Sequence, residues 1–509
     1  MRLKTSLIVY GWVSAALLSE CPAAAQWMGP QFRVDSYTSG AHKAPAVAHD
    51  ANGNFIVVWD GRGASGFGIY GQRFNRTGET LGSEFVVATA GQGPYYPTPL
   101  SPAVVSQPCS DFIVLWQPMG YVSQYFAPGP IMLRHFDSGG APSGEPLNVS
   151  LLGAGIYATP SASRGPGGEF VAVWDTYAYV AGTGVGRRLD ASGTPVGSTF
   201  SVADNPARSP SVAVGLNGDF FVTWWQGNDL NVWARRFAPS GEPLGTEFRV
   251  NEETGALAAS VARDSRGDFI VAWLDFGRPE GRVVAQAYDP SGTAVGANVV
   301  VYAGDSVVAG PPSIASYPYG GFVLSWSTRS VDYSGSSILA RRFQDLATPI
   351  GSEFVVSAVG GEAPRLSMDP SGNFVVVWER AYGIFARRYG SNVVVPDTSI
   401  RIEGPTAVCA NSSGGTATTN SPGSHQWDWR LEPGGPSQRI AEATGDKYIL
   451  RGTDFPGPGT YLLFCYTTPP CGSFAQESNE LPITVVAEDG SPPAVFAPGA
   501  MTIPATLCE

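Results

Sequence analysis

Seven times along this chain an apolar, β-branched run ends in tryptophan: FIVVW at Trp59, FIVLW at Trp116, FVAVW at Trp174, FFVTW at Trp224, FIVAW at Trp273, FVLSW at Trp326 and FVVVW at Trp378. Continuous runs of this kind read as strands buried on both faces. Turns rich in Gly, Asn and Asp precede them, among them DANGN, GLNGD, DSRGD and DPSGN, which favours hairpins. Each copy holds four strand candidates; in the fourth they are SPSVAV, DFFVTWW, NVWARRF and TEFRVN. A single four-stranded sheet this apolar cannot bury both faces alone, whereas seven stacked around an axis can. The expectation is an all-β, seven-bladed β-propeller, with the small Pro, Ser, Val and Ala residues of each first strand at its crowded centre. The recurring tryptophans then belong to the core between blades.

The seventh copy supplies PRLSM, NFVVVW and IFARRY and then departs without a fourth strand. The missing strand stands near the other end of the chain. QFRVDS, Gln31 to Ser36, is a near-copy of EFRVNE, Glu247 to Glu252, which closes the fourth copy. Strand 31–36 is therefore expected to complete blade seven, fastening the ring and removing an edge that would invite aggregation. The propeller so read spans residues 26–395.

Spacing sorts the connections. From the residue opening each first strand to its tryptophan is 14 positions in every copy, starting at Pro45, Pro102, Pro160, Pro210, Ala259, Pro312 and Pro364. From the second residue of each RRF-like triplet to the fourth strand is 11 positions, as in Arg73 to Glu84, Arg236 to Glu247 and Arg342 to Glu353. These three pairs read as cross-strand ion pairs with a structural role. The distance from tryptophan to triplet instead varies from 10 to 19, and the links between copies vary too. In an antiparallel meander the two constant turns lie at one end of each sheet and the two variable connections at the other. All variable loops are thus expected on one face of the disk, where function on a rigid framework usually resides.

That face is rich in aromatics and acids. The ligand-binding candidates are Tyr95, Tyr96, Tyr121, Tyr125, Tyr177, Tyr179, Trp225, Tyr333 and Tyr382. Exposed tyrosines with a few carboxylates suit sugar or protein recognition; the plainer alternative is that they pack their own loops. Asp60, Asp175 and Glu379 each follow a blade tryptophan. They are the catalytic candidates, as carboxylates for acid–base chemistry on a polysaccharide, set against the ordinary occurrence of acids at strand ends. Four histidines, His42, His49, His135 and His425, leave little for a histidine-rich metal site. DANGN and DPSGN lack the ligand series of a calcium loop, and no serine nucleophile elbow occurs. No cofactor and no metal are expected.

Residues 1–25 read as a secretory leader: Arg2 and Lys4, then SLIVYGWVSAALL, then AAA before Gln26. No later stretch is apolar enough to span a bilayer as a helix, so the expected location is secreted or at the cell surface. A formal net charge of −12 makes nucleic acid an unsuitable partner. From 396 to 488 the repeat gives way to short alternating strands with cysteines around a tryptophan. This region is expected as a small immunoglobulin- or PKD-like β-sandwich. Cys409 and Cys465 are expected to form its inter-sheet disulfide; Cys471 competes for either partner, and Cys109 and Cys508 are left unassigned. Residues 489–509 read as a linker or tail that stops short of a further module.

Copies such as GNFIVVWDGRG…GIYGQRFNRTGETLGSEFVV resemble the repeats of secreted bacterial β-propeller proteins, over roughly Gln31 to Tyr389. The resemblance implies the fold and brings no catalytic motif to carry across; the SxDxGxTW boxes of sialidase propellers are spelled by no copy. Three functions stand in order. The first is a non-catalytic recognition or adhesion protein binding glycan or protein through the variable face. The second is a polysaccharide hydrolase or lyase using the carboxylates of that face. The third is a purely structural surface protein.

Overall fold

The computed structural model describes residues 27–390, apart from loop stretches 90–97, 108–109, 123–124, 151–158, 177–181, 228–229, 279–280 and 331–334 and positions 216, 265, 305, 319 and 347; it also describes strand backbones between 402 and 486. The leader expected at 1–25 lies outside these residues. Every element among them is a β-strand. Seven antiparallel sheets follow one another. Blade one is His42–His49, Phe55–Gly63, Gly66–Phe74 and Phe85–Thr89, and blade four is Arg208–Val214, Phe220–Gln226, Asn231–Phe237 and Phe248–Arg249. The first strands touch each other in a closed cycle in which blade seven meets blade one, so they ring the axis. Blade seven consists of Glu362–Met368, Phe374–Arg380, Gly383–Tyr389 and the N-terminal strand Phe32–Arg33. Phe32 pairs with Ala386 and Arg33 with Phe385. The molecule is a seven-bladed β-propeller closed by its own N-terminal segment.

Its core is a set of layers, one between each pair of blades. All seven repeat tryptophans are 0–3% exposed. Phe221 of blade four packs with Phe269, Val271 and Trp273 of blade five; Val34 and Ile384 of blade seven pack with Phe55 and Trp59 of blade one. Burying an aromatic side chain removes roughly 150–250 Å² from water, an upper figure of about 4–6 kcal/mol each. Rings also stack where the second strand begins and the third ends: Phe55 on Phe74 at 4.9 Å, Phe112 on Phe136 at 4.9 Å and Phe322 on Phe343 at 4.8 Å. These cross-strand pairs hold the register of the central hairpin.

The expected Arg–Glu pairs do not form between Arg73 and Glu84 or between Arg236 and Glu247. Ala234 pairs with Phe248, so Glu247 stands opposite Arg235, not Arg236. Adjacent triplet positions project to opposite faces of the strand, and in blades three and seven the two arginines reach different neighbouring blades. The first reaches back: Arg187 Nη1 donates to the Val149 carbonyl at 3.0 Å, Arg341 to Val301 at 3.1 Å and Arg387 to Val356 at 2.7 Å. The second reaches forward to a constant turn: Arg73 to the Ser138 carbonyl at 2.6 Å, Arg188 to Ser240 at 3.1 Å and Arg388 to Arg76 at 2.8 Å. The glutamates cap the link entering their own blade instead. Glu84 accepts from the Ser36 amide at 2.9 Å, and Glu247 from the Asp204 amide at 3.0 Å.

The innermost strands would leave amides unpaired at the axis, since no sheet partner lies beyond them. Serines from the preceding blade accept these donors. Ser163 Oγ accepts from Val214 at 3.1 Å, Ser211 from Val261 at 3.3 Å, Ser313 from Leu366 at 3.0 Å and Ser367 from His49 at 3.1 Å. The small first-strand residues therefore do more than fit a narrow space.

Beyond the propeller, strand backbones form a three-stranded sheet and a six-stranded sheet between Ile402 and Val486. Trp427 is fully buried and its backbone partner is Cys465. The side chains of Cys409 and Cys465 lie outside the described residues.

Candidate functional site

The constant turns are held by their own side chains. Asp50 Oδ1 accepts from the amides of Asn52 at 2.8 Å and Asn54 at 2.9 Å, and Asp369 does the same for Ser371 and Asn373. These are hairpin turns capped by aspartate, as the absence of a calcium ligand series implied. The opposite face carries the long connections and a recurring irregularity. Near the start of the first strand in five blades, one residue adopts left-handed backbone: Ala44 (φ 49°), Ser101 (49°), Ser209 (44°), Ala258 (56°) and Ala363 (50°). Each coincides with a register shift against the second strand, so each is a β-bulge.

The acids after the blade tryptophans meet these bulges. Glu379 Oε2 of blade seven accepts from the Ala44 amide of blade one at 3.0 Å, and Asp175 of blade three from the Ser209 amide of blade four at 3.2 Å. Asp60 of blade one likewise accepts from the Ser101 amide of blade two. One blade's acid thus caps the next blade's bulge, on the variable-loop side of the axis. Burial pushes the Asp60 carboxyl up to about 6, helped by the nearby Glu379 charge and opposed by the Ser101 amide. Burial likewise raises Asp175 to about 6 against its hydrogen bond from Ser209. Of the three, only Asp60 and Glu379 lie on adjacent blades, where the Glu379 charge acts on Asp60; Asp175 lies two blades from Asp60.

The closing segment builds a buried ionic cluster beside Glu379. Asp35 accepts from Arg33 Nη2 at 2.6 Å, from His42 Nδ1 at 2.8 Å and, through its other oxygen, from the Ile384 amide at 2.6 Å. His42 Nε2 lies 2.7 Å from the Arg62 carbonyl. Both ring nitrogens of His42 therefore face pure acceptors, which calls for the doubly protonated ring. Burial opposes that charge, but Asp35 and the Arg62 carbonyl outweigh it and raise the His42 pKa. Burial also opposes the Asp35 charge, and the donors around it prevail and lower its pKa.

Over this cluster opens a cavity of about 910 Å³ between blades six, seven and one. Arg329 and Glu362 form an ion pair on its wall. Arg380 lies over the Phe385 ring at 4.4 Å. Lys43 and Tyr382 complete the rim, and Tyr382 is 70% exposed on a left-handed turn at φ 68°. Of the sequence candidates, Glu379 and Tyr382 reach this cavity. Trp225 does not: it is half-buried, with the Arg208 guanidinium 5.3 Å above its ring. Tyr121 and Tyr125 sit on a short hairpin extending the second strand of blade two, where only the backbone is described. Tyr95, Tyr96, Tyr177, Tyr179 and Tyr333 lie outside the described residues. Lys43, His42, Arg329, Glu362 and Arg380 are additions to the sequence reading. Among the variable-loop residues the aromatics and acids stand out, while the signal for these cations is the arginine three places after Trp326 and two after Trp378. No group of metal-ligating side chains occurs among the described residues.

No family model and no curated protein matches this chain. Solved structures similar to it include a protein of unknown function from Dyadobacter fermentans, at 12% identity and a TM-score of 0.44, covering 71% of this chain and 97% of that one. An intramolecular trans-sialidase from Ruminococcus gnavus aligns at 10% identity and a TM-score of 0.41, over 73% of this chain and 98% of that one. A polysaccharide lyase aligns at 11% identity and a TM-score of 0.39, over 67% and 90%. At this level of similarity nothing about activity passes to the present chain. No helix among the described residues is long and apolar enough to cross a membrane.

Proposed function

We propose that this protein recognises an acidic glycan, one carrying carboxylate groups such as uronic acids, through the cavity between blades six, seven and one, and does so without catalysis. The observation that carries this reading is the pairing of an exposed aromatic with cations that no carboxylate holds, among the described residues, around an open hollow. Tyr382 offers a ring face for a sugar, while Lys43 and Arg380 line the same cavity and form no ion pair among the described residues. The acids there are already engaged, Glu379 by the Ala44 amide and Glu362 by Arg329. A cavity with an aromatic platform and a few convergent charges suits an oriented polar ligand. In this reading the leader exports the protein and the C-terminal region is an immunoglobulin-like spacer.

The test is a glycan array probed with purified protein. Uronate-containing oligosaccharides are expected to bind and neutral ones to bind less. Tyr382→Ala is expected to weaken the best ligand about tenfold, or ~1.4 kcal/mol. Binding to neutral sugars alone, or full affinity in the variant, would refute this site. The second reading, a polysaccharide-acting enzyme, is favoured by Asp60, poised at about 6 beside Glu379. Chain cleavage of the bound sugars in the same array would support it over pure recognition.

A further inference from the structure

We propose that the opposite mouth of the axis, on the side of the constant turns, binds a small oxyanion between Arg164 of blade three and Arg263 of blade five. Four residues after the position that opens each first strand, the blades contribute His49, Ser106, Arg164, Val214, Arg263, Ser316 and Met368. Six of these seven line one cavity of about 400 Å³ at the centre of the disk. The repeat thus brings two guanidinium groups from non-adjacent blades to a single ring of side chains.

Neither arginine hydrogen-bonds to the protein among the described residues, and Arg263 Nη1 is a buried donor without an acceptor. Ser316 Oγ, from the next blade on the same ring, is likewise buried and unpartnered. Burial pulls both arginines below their ordinary pKa, opposed in part by the charges of Glu169 for Arg164 and of Asp264 and Asp219 for Arg263. Of these, Asp264 already holds Arg266 at 2.9 Å and Asp219 holds Arg236 at 3.4 Å. The acids that line the cavity are also spent. Asp50 takes turn amides and Ser110, and Asp369 takes turn amides and Asn373. His49 contributes no charge, since burial holds it down to about 3.

Partly desolvated guanidinium groups without partners are unfavourable, and their planar donors match an oxyanion. Phosphate, sulfate and carboxylates share that chemistry. This site is separate from the cavity on the variable-loop face and is independent of the glycan reading.

The experiment uses the full chain in buffers of equal ionic strength, with chloride replaced stepwise by sulfate, phosphate or acetate. Wild type is expected to show a saturable rise in Tm of about 2 °C or more with at least one of them. Equilibrium dialysis with labelled phosphate or sulfate should find one anion per chain. The double variant Arg164→Met/Arg263→Met is expected to melt higher than wild type in chloride and to lose the response. No saturable rise and no stoichiometric binding in wild type would overturn the proposal, as would an undiminished response in the double variant. Should that variant fail to fold, the single Arg263→Lys protein is read by dialysis, where weakened uptake supports the site and unchanged uptake rejects it.

Discussion

His42 shows how much one side chain can depend on its neighbours. In the sequence it is one of four scattered histidines; in the fold it is sealed between Asp35, Arg62 and the closing segment. Its raised pKa means that its stabilising contribution is complete below about 6.5, the ordinary histidine value, and is lost as pH climbs through the folded value. Asp35, with its pKa lowered, contributes above about 3.9 and loses that contribution as pH falls through its own folded value. Arg33 acts on both members of the pair, and the His42 and Lys43 charges act in turn on Asp60. Stability is therefore expected to be greatest between pH ~4 and ~6.5. His42→Gln should cost about 1–3 kcal/mol near pH 5.5, and markedly less near pH 8.5. Chemical denaturation at the two pH values checks this; an equal loss at both would mean that packing, not charge, is the role of His42. None of this was legible beforehand, because Asp35 and His42 meet only when the ring closes.

Within each blade, the constant 14-residue spacing marked a rigid unit without revealing its content. In blades one, five and seven the unit runs from a left-handed bulge through an aspartate-capped turn to the buried tryptophan, and an insertion there would move the turn and the tryptophan relative to the bulge. The bulge itself was hidden, because Ala and Ser are not the residues that announce left-handed backbone. This gives a direct prediction. Ala44→Gly, Ala258→Gly and Ala363→Gly should each stabilise the protein by about 0.5–1 kcal/mol, since glycine adopts that backbone without strain. The stability of each variant is read by denaturant unfolding; a loss at all three positions would contradict the bulge geometry. The RRF triplets were likewise visible as a pattern but misassigned in part. Period-two alternation sends adjacent arginines to opposite neighbours, and those neighbours are carbonyls of other blades, which a within-blade count cannot show.

Around the whole ring, closure rests on a short segment donated from the other end of the chain. Phe32 and Val34 pack into the layer between blades seven and one, and the Val34 amide donates to the Ile384 carbonyl at 2.8 Å. Removing residues up to Ser36 should leave the third strand of blade seven with a bare edge and open that layer. The truncated chain is expected to self-associate and to lose several degrees of Tm, as seen by light scattering and thermal melting; a monomer with an unchanged melt would disprove the closure role. Seven blades, their strand order and this closure could be read from the residues alone, because each depends on local alternation and on near-identical phrases recurring at fixed spacing. The stitching between blades, the capped bulges, the ionic cluster at His42 and the two cavities on the axis faces could not. They join residues from separate copies, and which copies become neighbours' neighbours, at what depth and facing which way, is set only once the sheets have packed around a common centre.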